Sequence, residues 1–199
     1  MTRIISGRAG SVRLDVPASG TRPTSDRVRE SIFSALEAAA LVSGARVLDL
    51  YAGSGALGLE AISRGAASVD LVEKAPQAAT IIAANAARVR KAVGAAAEIK
   101  VHRRAVDAYL ATARGAWDLV FIDPPYDLSA TDLATCLDRV GGLLADGGRV
   151  VVERASRSEP PHWPHSLAPL REKRYGDTTV WHAAVGDADD QPRPRSQSW

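Results

Sequence analysis

The chain has 199 residues, 46% of them hydrophobic, which is enough to bury one full core but leaves no room for a second catalytic domain. It has no apolar run long enough to cross a bilayer, and its first residues lack the apolar core of a signal peptide, so we expect a cytoplasmic protein that does not contact membranes. The single cysteine, Cys136, excludes an internal disulfide, and with four scattered histidines it offers no metal-ligand spacing, so we predict no metal site.

Positive charge is concentrated at the start of the chain. The formal net charge of the whole chain is +2, whereas residues 1–30 contain six arginines and three acidic residues, a net charge of +3. Such a concentration suits a surface that contacts phosphates. The alternative is that this arginine-rich chain uses arginine as its general solubilising cation.

Residues 1–42 are predicted to form an extension ahead of the main domain. Two strand-like runs, 3–6 and 11–16, are joined through glycines and indicate a hairpin, and a loop follows at 17–23. A helix then begins at one of the potential capping residues 24–26. Its apolar residues recur at helical spacing: Val28, Ile32, Phe33 and Leu36.

Strand and helix patterns alternate from residue 43 to residue 185, which predicts an α/β domain whose parallel sheet is covered by helices on both faces. The predicted strands are 47–50, 69–72, 99–102, 117–122 and 148–153, and the predicted helices are 57–63, 78–93, 108–112 and 133–140. After a proline-rich connection, the Gly176–Asp177 turn between 170–175 and 178–183 predicts an antiparallel pair that closes the sheet. Residues 186–199 lack an apolar pattern and are expected to be disordered.

A glycine loop joins the strand at 47–50 to the next helix. Gly53, Gly55 and Gly58 match the pattern G-x-G-x-x-G, in which glycines allow a tight turn and the helix N-terminus presents free N–H groups. The pattern alone does not distinguish a nicotinamide or flavin cofactor from S-adenosylmethionine. Asp49 favours S-adenosylmethionine, because an acid before the turn repels a pyrophosphate and can orient a cationic amino acid group.

Two further acids follow later strands and could contact the same cofactor. Glu73 ends the next strand, where a carboxylate can bind ribose hydroxyls, although it could also be a solvated strand end. Asp107 follows the third strand and could accept a hydrogen bond from adenine N6. The alternative for Asp107 is an N-cap of the short helix that begins there.

The sequence Asp123-Pro124-Pro125-Tyr126, here named the lip, follows a buried strand directly. Both prolines fix φ and disfavour helix in the residue before them, which predicts a stiff extended segment. The Asp123 carboxylate and the Pro124 carbonyl then provide two acceptors beside the Tyr126 ring, an arrangement that suits a nucleobase amine. With the usual strand order 3-2-1-4-5, the glycine loop and the lip would be neighbours at the carboxyl edge of the sheet.

These motifs resemble class I S-adenosylmethionine-dependent amino-methyltransferases. More narrowly, residues 3–7, 22–33 and 51–61 are similar to the bacterial 16S ribosomal RNA guanine-N2 methyltransferase family. The resemblance implies a Rossmann-like fold whose seven-stranded sheet, mostly parallel, has the order 3-2-1-4-5-7-6, with residues 1–42 as an RNA-contacting extension. It also implies S-adenosylmethionine as cofactor, methylation of a guanine N2 in 16S rRNA of the 30S subunit or its assembly intermediate, and a monomer.

The residues that the resemblance assigns fall into three groups. The catalytic residues are Asp123, Pro124 and Tyr126. The cofactor-binding residues are Asp49, Tyr51, Gly53, Ser54, Gly55, Glu73 and Asp107. The RNA-binding residues are Arg3, Arg8, Arg22, Thr24, Arg27 and Arg29.

Some alternatives remain open at this point. Arg27 and Arg29 could instead pair within their helix with Asp26 or Glu30. A DNA adenine-N6 or a protein glutamine methyltransferase uses a similar lip, and a non-catalytic RNA-binding assembly factor could retain the same fold. A sequence-specific DNA enzyme generally needs a recognition region, for which this chain has little spare length.

Overall fold

The computed structural model describes residues 2–17, 25–94 and 96–186. Most of the predicted loop at 17–23, including Arg22, lies outside these residues, as do Thr24 and the predicted disordered tail after Gly186. No helix within the described ranges is long and apolar enough to span a membrane.

The described residues form nine strands and five helices. In chain order they are β1 (Thr2–Arg3), β2 (Arg13–Leu14), α1 (Asp26–Ala38), β3 (Arg46–Leu50), α2 (Ala56–Ser63), β4 (Ser68–Glu73), α3 (Pro76–Val93), β5 (Glu98–Arg103), α4 (Val106–Leu110), β6 (Trp117–Ile122), α5 (Ala130–Gly141), β7 (Leu144–Ala155), β8 (Leu167–Tyr175) and β9 (Thr178–Val185).

The main sheet confirms the predicted topology. Its order is β5-β4-β3-β6-β7-β9-β8, which is 3-2-1-4-5-7-6 when strands are counted from β3. Strands β3 to β7 are parallel to their neighbours, and β9 runs antiparallel to both β7 and β8. Strand β8 begins three residues earlier than predicted and is an edge strand, where Pro169 is tolerated at an irregularity in the register.

The strands of the N-terminal hairpin are shorter than predicted, with only two residues each. The cause is that α2 takes several backbone groups of the connecting residues. Arg8 N donates to Ser63 O at 2.8 Å, and Ala9 N donates to Ser63 Oγ at 2.9 Å. The hairpin is therefore attached to α2 as well as paired with itself, through Ile4 N to Val12 O and Ser11 N to Ile4 O, both at 2.9 Å.

The extension shares its core with the sheet. Ile4, Leu14 and Phe33 belong to one cluster of buried side chains together with Phe121 of β6. The rings of Phe33 and Phe121 lie 5.6 Å apart between centroids. A second buried cluster fills the opposite face of the sheet, under α4 and α5.

A network of buried charges joins the extension to α2. The Glu60 carboxylate, which is fully buried, accepts hydrogen bonds from Ile5 N at 2.7 Å and Ser6 N at 3.0 Å. It also pairs with Arg64 Nε at 2.7 Å and lies 3.8 Å from Arg29 Nε. One carboxylate thus fixes the backbone of the hairpin and compensates two guanidinium groups.

Arg29 is part of this network, and the prediction that it contacts RNA is wrong. Its side chain is 0% exposed, and its Nη2 donates to Arg3 O at 2.5 Å and to Asp26 Oδ1 at 3.0 Å. The pair with Asp26 is the intrahelical alternative that the sequence left open. Because the hairpin covers this guanidinium, phosphates cannot reach it.

We predict that Glu60→Ala lowers the free energy of unfolding by about 3 to 5 kcal/mol, because it removes the buried counter-ion that Arg29 and Arg64 share and leaves Ile5 N and Ser6 N without their acceptor. Urea denaturation followed by circular dichroism measures the loss. Glu37→Ala is the matched control: Glu37 also pairs with Arg64, at 2.9 Å, but its side chain is 46% exposed. That variant should lose less than about 1 kcal/mol.

Equal, small losses in the two variants would contradict this role for Glu60. If Glu60→Ala does not fold, the loss of stability can be measured with Glu60→Gln, which keeps the shape of the side chain and removes its charge.

Candidate active site

The glycine loop leaves β3 through a tight turn. Tyr51, Gly53 and Gly55 all have positive φ, of 61°, 58° and 78°. Gly55 immediately precedes α2, so the N-terminus of this helix points toward the turn. A Cβ atom on Gly58 would lie 2.6 Å from Leu71 Cδ2, so the third glycine permits the close packing of α2 on β4.

Asp49 lies beneath this loop. Its side chain is 1% exposed, and Oδ2 accepts a hydrogen bond from Gly58 N at 2.9 Å. Burial raises the pKa of this carboxyl to about 7; the Gly58 N–H opposes the shift, and the nearby Asp123 and Glu73 add to it. Three carboxyl groups therefore influence one another at this end of the sheet.

Glu73 ends β4 and holds the glycine loop. Its Oε2 accepts from Gly53 N at 3.1 Å, and its Oε1 accepts from Ala75 N at 2.8 Å. Glu73 is therefore not a merely solvated strand end. Each carboxylate oxygen has a further lone pair that can accept another hydrogen bond.

The lip follows β6 beside the glycine loop. In the parallel pairing of β3 with β6, Leu50 lies opposite Ile122, so Tyr51 and Asp123 are the next residues along the two chains. Pro124 is buried, whereas Tyr126 is 59% exposed. A hydrogen bond from Leu128 N to Pro125 O, at 3.0 Å, closes a turn behind the lip.

A cavity of about 320 Å³ lies between the loop and the lip, within the range of small-molecule sites. Its lining includes four predicted residues, Tyr51, Gly53, Glu73 and Asp123. It also includes Pro17, Val72, Lys74, Ala75, Gln77, Ala78, Val106 and Pro125, which the sequence did not single out as cofactor contacts.

An adjoining cavity of about 290 Å³ contains Asp107. The two cavities share Tyr51, Lys74 and Val106. Asp107 lies in the first turn of α4, and Ala105 occupies the N-cap position, so the capping alternative for Asp107 is wrong. Burial raises the pKa of the Cys136 thiol in this cavity to about 12, which leaves it an unreactive neighbour of Tyr51.

Asn85 is a site residue that sequence reasoning missed. It is fully buried in α3, and its Nδ2 donates to Ser54 O at 2.9 Å and to Asp15 O at 2.9 Å. Its Oδ1 accepts from Asp15 N at 2.9 Å. One amide thus connects the glycine loop with the segment of the extension that leads to Pro17.

The predicted RNA-binding residues have different surroundings. Arg3, Arg8 and Arg27 are exposed, and Arg3 Nε lies 4.0 Å from Asp26. Arg29 is buried, as described above. Arg22 and Thr24 lie outside the described residues.

Comparisons with known proteins place the chain in a family. The model of the family described as conserved hypothetical protein 95 matches residues 2–184. Ribosomal RNA small subunit methyltransferase D of Escherichia coli K12 is 36% identical over 191 residues, covering 94% of this chain and 93% of that protein. The protein of the same name from Haemophilus influenzae is 32% identical, covering 87% and 89%. The solved structure of the Escherichia coli protein yhhF matches with a TM-score of 0.80 and 31% identity, covering 92% of this chain and 97% of that one.

The raised pKa of Asp49 predicts a pH-dependent stability. A carboxyl group whose pKa rises from about 4 to about 7 on folding favours the folded state while it is protonated, and this contribution is lost as pH increases toward 7. Asparagine has no proton to lose. Asp49→Asn should therefore gain stability relative to the parent protein between pH 5 and pH 7, by up to about 1.4 kcal/mol per pH unit, and the difference should level off above that range.

Urea denaturation of the two proteins at pH 5, 6, 7 and 8 measures this difference, in which the other titrating groups cancel. A difference that stays constant over the whole range would show that Asp49 does not titrate there.

Proposed function

The chain belongs to the family described as conserved hypothetical protein 95, and from this premise we propose that it transfers a methyl group from S-adenosylmethionine to the N2 amine of a guanine in 16S rRNA. The observation that carries the proposal is the position of the lip, an amine-binding arrangement, directly beside an acidic cavity. The names of the relatives, which are ribosomal RNA small subunit methyltransferases, support the substrate class. We propose a small ribosomal subunit or its assembly intermediate as the partner, bound by a monomer.

The cavity has the chemistry expected for S-adenosylmethionine. Glu73 and Asp123 line the cavity above the buried Asp49, and such a set of acids favours a cofactor with cationic sulfonium and ammonium groups. Glu73 is suited to ribose hydroxyls, and Asp107, in the adjoining cavity, is suited to an exocyclic adenine amine. Gly53 lines the cavity and supplies a backbone that a ligand can approach closely, while Ser54 and Gly55 complete the turn into α2.

The lip would hold and activate the amine. S-adenosylmethionine supplies an electrophilic methyl group when bound. The lone pair of a guanine N2 is delocalised into the ring, and acceptors at its two hydrogens favour a more tetrahedral, more nucleophilic nitrogen. We assign these acceptors to the Asp123 carboxylate and the Pro124 carbonyl, and we assign Tyr126 to stack on the base.

The exposed ring of Tyr126 supports this assignment. A base must leave its own stack before an enzyme can modify it, at a cost of a few kcal/mol. Stacking on an aromatic side chain returns about 1 to 3 kcal/mol. Because the ring is 59% exposed, it is available for such a contact.

One assay separates this function from its alternatives. The protein is incubated with labelled S-adenosylmethionine and, in turn, with small ribosomal subunits that lack native modification, naked rRNA, duplex DNA and peptides. We expect label on the ribosomal subunits, recovered after digestion as N2-methylguanosine. Label only on DNA or peptide, or on no substrate, would reject the proposal.

We predict that Asp123→Ala slows single-turnover methylation by roughly 10² to 10³-fold, the loss typical for one group that stabilises a transition state. Asp123→Asn should keep part of the activity, because its amide oxygen still accepts a hydrogen bond. The control is Asp127→Ala, which removes an exposed carboxylate four residues further along and should remain active.

At Tyr126 we predict that the aromatic ring stacks on the base and that the hydroxyl is not needed. Tyr126→Phe should therefore keep near-normal single-turnover rates, whereas Tyr126→Ala should lose most of the activity. If Phe and Ala variants were equally inactive, stacking would be the wrong role for this residue.

A further inference from the structure

The last strands of the sheet carry a group of exposed cations that the sequence did not single out. We name Arg157, Arg171, Lys173 and Arg174 the C-terminal basic strip; all four are exposed. Two of them have neutral partners: Lys173 Nζ lies 4.9 Å from the centroid of the Tyr175 ring, and Arg174 Nε donates to Gly176 O at 3.1 Å. Three exposed acids, Glu159, Glu172 and Asp177, lie among the four cations, so the strip keeps a net positive charge.

The strip lies at the same end of the sheet as the lip, with β7 and β9 between β8 and β6. Strand β7 is parallel to β6, so its carboxyl end lies at the same edge of the sheet as Asp123. Ala155 at this end pairs with Thr178, and Thr178 pairs with Tyr175, which brings the β8–β9 turn to that edge. Arg154 closes the gap, because its Nη2 donates to Leu128 O, two residues beyond Tyr126, at 3.0 Å.

The strip is also held in a fixed position. Ser156 N donates to Asp177 O at 2.7 Å, and Ser156 Oγ donates to Gly176 O at 3.0 Å, so the β8–β9 turn is attached to the end of β7. A rigid platform loses little conformational entropy when a ligand binds.

Helix α1 connects the strip to the extension. The Tyr175 hydroxyl hydrogen bonds to Ser31 Oγ, and Lys173 Nζ donates to the same oxygen at 3.3 Å. Arg27 precedes Ser31 by four residues and so shares its face of the helix. Arg27 of the extension and Lys173 of the strip therefore both lie beside the Ser31 face of α1.

We propose that the C-terminal basic strip is a second RNA-docking surface, which binds the phosphates of nucleotides that flank the methylated base. The inference rests on the proposed function. Since Arg29 is buried, the described part of the extension offers fewer cations than the sequence implied, and a base that is pulled from its stack needs its backbone held near the lip. Lys173 and Arg174 project to opposite faces of the edge strand, so a strand of RNA that crosses it can meet both.

The test compares Lys173→Ala/Arg174→Ala with a matched control, Lys91→Ala/Arg114→Ala. The control removes two exposed cations, one at the C-terminal end of α3 and one just before β6, both at the opposite edge of the sheet. For each protein we would measure the Kd for small ribosomal subunits at several salt concentrations, the KM and kcat for methylation, and the Kd for S-adenosylmethionine.

For the strip variant we expect about a tenfold rise in KM and Kd for the subunits, and a log Kd against log salt slope that is shallower by about 1.4 to 1.8. Its kcat and cofactor Kd should stay within about twofold of the parent, and the control should be unchanged. Unchanged subunit binding and slope in the strip variant would overturn the inference. Weaker binding with an unchanged slope would also overturn it, because the contact would then be to ribosomal protein rather than to phosphates.

The proposed function can fail separately from this inference. If the parent protein methylates no RNA but the strip variant alone loses salt-dependent subunit binding, the docking surface is retained and the enzymatic assignment is rejected. If the parent protein methylates RNA and the strip variant binds the subunits normally, the enzymatic assignment is retained and the docking surface is rejected.

Discussion

The parallel pairing of β3 with β6 is the constraint on which the site depends. The two strands are separated by about seventy residues of chain, yet their register places Asp49 beside Phe121 and Leu50 beside Ile122. The glycine loop and the lip consequently leave the sheet side by side. The other half of the pocket comes from the excursion between these strands, which returns Glu73 and Val106 to the same edge. The proposed cofactor cavity and the proposed amine-binding lip therefore meet although they are far apart in the sequence.

Buried charge holds the extension to this framework. Burying an ion pair adds little to the free energy of unfolding, but removing one partner is costly. Such a pair therefore selects one packing arrangement more than it stabilises the fold. Glu60 has this effect because its oxygens bind backbone N–H groups of the hairpin as well as Arg64. A hairpin that docked differently would leave the buried Glu60 carboxylate without these backbone hydrogen bonds. Asn85 does the same with neutral hydrogen bonds at the other end of the extension, where it also fixes the glycine loop.

Much of the fold could be predicted from the sequence, because the relevant signals are local. Alternating apolar runs and glycine turns indicate each strand and helix, and the lip is recognisable from the order of its residues. The burial of Arg29 could be recognised only from the tertiary structure, since a charged residue on a helix is normally exposed. A signal was nevertheless present: Arg29 is spaced four and seven residues from Phe33 and Leu36, on the apolar stripe of its own helix. Asn85 has the same signature, as the amide among the buried residues Ala78, Ile82, Ala86 and Val89.

The short hairpin strands show a different limit. Whether a backbone N–H bonds across a hairpin or to a neighbouring helix is decided by packing, and the sequence of the hairpin does not contain that information. The same holds for the basic strip. Most of its residues are ordinary members of an edge strand until the sheet order places the β8–β9 turn at the same end of the sheet as the lip.

The cavity and the surface around it carry opposite charges, so they favour ligand groups of opposite sign. Glu73 and Asp123 make the cavity unfavourable for phosphates, whereas the surrounding surface carries exposed cations. A dinucleotide would have to place its pyrophosphate close to Asp49 and Asp123, so these carboxyl groups, rather than the glycines, favour S-adenosylmethionine. A nucleic acid meets the same field from outside. In the proposed complex, the RNA backbone is attracted to the surrounding cations and repelled from the interior, so an uncharged base is the part of the polymer that can approach Asp123 without electrostatic penalty.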